Sequence, residues 1–132
     1  MQVLFKECVE ALKAHIVTPE ESNALSLLFR KRFQLTDWGR IDWDKIKNKI
    51  DIGSDPSQII PNLANLLGSS FDKSVYIEWS DGDVSIIKTD LDAIVSSFDD
   101  VTCVASDIFI FNLHSGYVVE IRRNGDITAG LV

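Results

Sequence analysis

Few residues in this chain have the types and spacing that chemistry requires. It holds two histidines, His15 and His114, and two cysteines, Cys8 and Cys103. No Cys–His or Asp–His pair stands at the spacing of a zinc site or of a nucleophile with its base. His15 is expected to end a helix, where an imidazolium complements the dipole. His114 is expected in a hairpin loop. The seven glycines are scattered at turns and helix ends, so no glycine-rich phosphate cradle forms. The other candidates are acidic. "DGD" at 81–83 and "DLD" at 90–92 offer paired carboxylates to a divalent cation or to hydrolysis. A calcium loop, however, places oxygen ligands at regular alternate positions with a distal Glu. Here two clusters flank a strand instead. No catalytic residue, cofactor or metal site is therefore expected.

The elements that position these residues follow from periodicity. Phe5, Cys8, Val9 and Leu12 fall on one helical face. "TPEE" starts a second helix: Thr18 caps, Pro19 takes the first helical position and Glu21 completes a capping box. Leu25, Leu28 and Phe29 form its expected buried stripe. After Gly39, Asp42 can cap a short helix carrying Trp43, Ile46 and Ile50. Asp55-Pro56 opens another, with Ile59, Ile60, Leu63, Leu66 and Leu67 inward and Gly68 at its end. Pro61 either kinks that helix or marks its start.

Beyond Gly68 the period shortens to two. Val75, Ile77 and Trp79 alternate with polar neighbours, and Asp81-Gly82 signals a two-residue hairpin into Val84–Lys88. Thr89 or Asp90 caps a short helix of Leu91, Ile94, Val95 and Phe98. "VTCVA" suggests a brief strand. Ile108–Asn112 and Tyr117–Arg123 follow, joined by "LHSG", and Asn124-Gly125 turns into Ile127–Ala129. Ile108 and Ile110 point one way, Phe109 and Phe111 the other, so this strand is expected to be central and covered. The expected fold is α+β, one domain over 1–132: N-terminal helices on a mostly antiparallel sheet of about five strands with one inserted helix.

Length, 132 residues, suffices for a core without disulfides or metal. Cys8 and Cys103 each sit among apolar residues, as buried free thiols do. A bridge between them stays open, but a reducing cytoplasm is favoured. The N-terminus has Glu7 and Glu10 where a signal peptide needs an apolar run. No run reaches membrane-spanning length.

The net charge is −7, and its placement is uneven. Residues 1–71 balance at nine acids and nine bases, and residues 108–132 balance at two of each. Residues 72–107 hold nine acids against Lys73 and Lys88, which is the whole excess. Such a surface disfavours nucleic acid and suits a basic protein, or simply keeps the chain soluble. Asp81, Asp83, Asp90, Asp92, Asp99 and Asp100 are the candidate contacts. They form one broad acidic face or two spots, because strand Val84–Lys88 spans about 15 Å. Trp79 is either an interface anchor beside them or the end of the core stripe. Trp38 and Trp43 are expected to be core anchors with a polar N–H.

Three stretches carry a resemblance: "WGRIDWDKI", "IEWSDGDVSIIKTDLDAIV" and "SDIFIFNLHSGYVVEIRRNGDITAG". Together they cover roughly residues 38–130. The sequence resembles the immunity proteins of bacterial contact-dependent growth inhibition and related polymorphic toxin systems. The resemblance implies a cytoplasmic, non-enzymatic, stoichiometric inhibitor. Its partner would be the C-terminal domain of a cognate toxin, often a nuclease with a basic cleft. The alternatives are a cytoplasmic adaptor for another basic protein, or a metal-dependent hydrolase using the Asp pairs.

Overall fold

The computed structural model describes residues 2–80 and 83–132. Their elements run α1 (Val3–Leu12), β1 (His15–Ile16), α2 (Pro19–Arg32), β2 (Asn48–Gly53), α3 (Ile59–Leu67), β3 (Ser74–Trp79) and β4 (Ile87–Asp90). Then come α4 (Leu91–Ser96), α5 (Phe98–Thr102), β5 (Ile108–Asn112), β6 (Tyr117–Ile121) and β7 (Ile127–Leu131). The strands form one sheet in the order β1-β4-β3-β5-β6-β7-β2. Every neighbouring pair is antiparallel.

β5 stands in the middle of the sheet and is buried from end to end. Its alternation of Ile and Phe serves two cores, because successive side chains point to opposite faces. On one face Ile108 and Ile110 join Val75, Ile77 and Val119 beneath Phe5, Cys8, Leu63, Ile94 and Val101 of the helices α1, α3, α4 and α5. On the other, Phe109, Phe111 and Val118 lie beneath Phe29 of α2, Phe33 at its C-cap, and Ile41, Trp43 and Ile46 of the segment after it. Phe29 stacks on Phe111 with ring centroids 4.7 Å apart. Burying one such ring stabilises the fold by about 1.5–3 kcal/mol.

The α+β class and the single antiparallel sheet agree with the sequence, but seven strands are present among the described residues, not about five. Both additions lie at the sheet's edges. His15 does not end a helix. Lys13 adopts the left-handed conformation (φ 50) and closes α1, and His15 pairs with Lys88 as β1. Ile50 is likewise not on a helix: Trp43–Lys45 is one 3-10 turn, and Asn48–Gly53 pairs with β7. In α2 Thr18 Oγ1 accepts the Glu21 N–H, as expected, and Phe29 is buried. Leu28, however, is half exposed. Pro61 falls in the first turn of α3, where its missing N–H costs nothing.

The Asp81-Gly82 turn lies outside the described residues. Beyond it, the expected alternation of Val84, Ile86 and Lys88 would set Ile86 on the face of Ile77. The observed partner is Ile87, and β4 begins there instead of at Val84. The one-residue difference exchanges faces: Ile87 joins the first core and Ile86 the second. Two short helices occupy the insertion after β4 instead of one, and "VTCVA" is the end of α5 and a turn, not a strand. The β6–β7 turn has three residues, with Arg122 N–H bonded to Asp126 O at 2.9 Å and Gly125 at φ 91. Only glycine enters that region freely.

Candidate functional site

The candidate acids divide between two ends of the sheet. Asp90 caps α4 through its bond from Ala93 N–H (2.9 Å) and stands opposite Ser74, where β3 begins. Asp92 is exposed and pairs with Lys73 at 3.5 Å. Asp99 and Asp100 occupy the first turn of α5. Asp99 lines an open groove with Arg122, Arg123 and Asn124, where β6 ends. That is the end at which Ser80 N–H bonds Asp107 O at 3.0 Å. Asp83 is exposed on the segment leaving that end, and Asp81 lies outside the described residues. The two-spot alternative is therefore the one the strand register supports.

Trp79 is 3% exposed and sits in the core. Its Nε1 donates to Val101 O at 3.0 Å, and its ring meets Phe5 edge to face. It fixes α5, and so the placement of Asp99 and Asp100, from beneath.

The tryptophans of the connector have opposite fates. Trp43 is buried, as expected. Trp38 is 90% exposed, which overturns its reading as a core anchor. It sits at the tip of a small hairpin closed by the Leu35–Ile41 bridge. The hairpin is braced by Glu120, a carboxylate of β6 that is 1% exposed. Glu120 accepts hydrogen bonds from Ile41 N (3.0 Å), Trp43 Nε1 (2.9 Å) and Arg122 Nε (3.2 Å). A second buried carboxylate, Glu78, pairs with Arg30 of α2 at 2.8 Å, and its Oε1 has no hydrogen-bond partner among the described residues. In the sequence, the signal for each is one charged residue inside an otherwise apolar strand.

At the opposite end, Asp72 ties a loop together. Its carboxyl accepts from Ser74 N (2.9 Å) and Asn112 Nδ2 (3.2 Å), which hold its pKa below the usual carboxylate range. Tyr117 donates its hydroxyl to Asp72 O at 2.6 Å, and burial pushes its pKa up. Burial, with Asp100 nearby, pushes the Cys8 thiol up to about 12. Cys103 is exposed, contrary to its expected burial, and both thiols are free. Among the described residues no three His, Cys, Asp or Glu side chains converge as metal ligands. No helix among them is long and apolar enough to cross a membrane.

These features define a small α+β protein built on one antiparallel sheet with a core on each face. Residues 2–130 match the family model of the CdiI immunity proteins, EcoliA0-like, and the chain belongs to that family. It is thus an immunity protein, of the kind that binds and neutralises a cognate toxin. Among curated proteins, none matches the chain.

Proposed function

We propose that this protein neutralises a nuclease toxin in the cytoplasm by one-to-one binding, without an enzymatic step. Its acidic surface would lie against the toxin's basic cleft. The observation that carries this reading is the confinement of the whole −7 excess to residues 72–107. Of the described acids of that stretch, Asp72, Asp83, Asp90, Asp92 and Asp99 are exposed, Asp100 and Asp107 are half-buried, and Glu78 is buried. A nuclease cleft must attract phosphate, so carboxylates at comparable spacing compete for it and steer encounter. Asp81, Asp83, Asp90, Asp92, Asp99 and Asp100 are the proposed contacts. Trp79 acts behind them, by holding Val101 and with it the acidic turn of α5.

The test uses the purified C-terminal domain of the toxin encoded beside this chain. An equimolar amount of the immunity protein should abolish its cleavage of RNA or DNA, and affinity should fall as salt rises. A toxin domain that binds but cleaves no nucleic acid would overturn the nuclease assignment. Unchanged affinity at high salt would overturn the electrostatic one.

A further inference from the structure

Trp38 is the most exposed large apolar side chain among the described residues, at 90%. Its hairpin is nevertheless built to hold still. Thr36 N–H bonds Arg40 O at 2.6 Å, and Gly39 N–H bonds Thr36 O at 3.0 Å. Thr36 Oγ1 accepts from Trp38 N (3.3 Å) and Arg40 N (3.4 Å). Gly39, at φ 77, supplies the left-handed turn residue. At the base, Ile41 and Trp43 are both bonded to the buried Glu120. A side chain offered on a preorganised loop loses little freedom on binding. Tryptophan and arginine are the residue types that most often dominate protein contacts.

The surroundings give the loop a chemical preference. Trp38 shares an open groove with Arg40, Arg122, Arg123 and Asp107. Arg122 is already held by Glu120 at 3.2 Å. Arg40 and Arg123 enter no ion pair among the described residues. Arg40 and Arg123 therefore stand as cations beside Trp38, with Asp37 and Asp107 as the exposed and half-buried acids of the same corner. It is also continuous with the acidic spot of α5, because Arg122 and Arg123 line both the Trp38 groove and the Asp99 groove.

We infer that Trp38 anchors the toxin contact. Its indole enters an apolar socket on the toxin, and Arg40 and Arg123 pair with carboxylates at that socket's rim. The inference rests on the toxin-binding reading above and adds the Trp38 hairpin to that contact. Arg40 and Arg123 beside the acidic turn of α5 favour one docking register, since a reversed approach sets like charges together.

The test compares wild type with Trp38→Ala and with Arg40→Glu/Arg123→Glu. Titration calorimetry against the purified C-terminal domain of the neighbouring toxin gives the affinities. Circular dichroism should show both variants folded, because the altered side chains are exposed. Trp38→Ala should weaken binding by about thirtyfold or more, and the double charge reversal by about tenfold or more. Affinity of Trp38→Ala within about threefold of wild type, measurable as less than a kcal/mol, would overturn the inference. So would a change in oligomeric state on light scattering with toxin affinity intact, which would assign the surface to a second copy of this chain. If wild type itself fails to bind, the toxin-binding reading fails first; if wild type binds and Trp38→Ala binds equally, only the anchor is lost.

Discussion

Trp43 Nε1 donates to Glu120 Oε1 at 2.9 Å, beneath the hairpin that carries Trp38. One buried carboxylate on the central part of the sheet thereby sets the position of an exposed loop. Removing it strands three donors: Ile41 N, Trp43 Nε1 and Arg122 Nε. Glu120→Ala should cost about 3 kcal/mol in urea unfolding, and Trp43→Phe about 1–2 kcal/mol. Glu120→Gln should fall between them, because it keeps one acceptor oxygen and sets an amide against a donor. A Glu120→Ala variant as stable as wild type would mean that the hairpin does not depend on this bond set.

Arg30 and Glu78 form a second such dependency. Arg30→Met leaves Glu78 buried without a charged partner and should destabilise by about 1–3 kcal/mol. Adding Glu78→Met should restore most of the loss, since both polar groups then leave the site together. Additive losses in the double variant would contradict the pairing.

Asp72 gives a pH signature. Its folded pKa is depressed, first by the Ser74 N–H and next by the Asn112 amide. The contribution is therefore present above the unfolded value near pH 4, about 3.9, and is lost as pH falls through the lower folded value. The stability gap between wild type and Asp72→Ala should be constant near neutrality and close in acid. A gap that widens in acid would reverse the sign and refute the assignment.

The two thiols should differ in reactivity. The thiolate is the nucleophile, and Cys8, raised to about 12, is buried and protonated near pH 8. Cys103 is exposed. Native protein should therefore take up an aromatic disulfide reagent quickly at one thiol, and at the second only after denaturation. Rapid reaction of both in the native state would show that Cys8 is not shielded.

What the sequence revealed and what it hid follow from which residues see only local forces. The strand at 108–112 was legible as a central strand because both of its faces are apolar, and no surface strand tolerates that. The cap at Thr18, and the one at Thr89 or Asp90 that the structure places at Asp90, were legible because they act within three residues. The edge strands β1 and β2 were not. His15–Ile16 is too short to show a period, and the Lys and Asn residues around Ile50 and Ile52 resemble a helix's solvent face. Their strand state is imposed by β4 and β7, distant in sequence. The same holds for the tryptophans. Trp38 and Trp43 stand five residues apart around Gly39, yet Trp43 packs into the second core with its Nε1 on Glu120 while Trp38 stands at the hairpin tip. Residue type alone pointed to burial for both, and for Trp79 left the question even.

The central claim, that the acidic surface makes a neutralising contact with the toxin, meets its most direct test in a calorimetric titration. The purified toxin domain is titrated with wild type and with Asp83→Lys/Asp99→Lys/Asp100→Lys, at low and at high salt. Wild type should bind one to one, with affinity falling as salt rises. The charge-reversed variant should bind at least about tenfold more weakly and show a flatter salt dependence. Equal affinity and equal salt dependence in the two proteins would contradict the account.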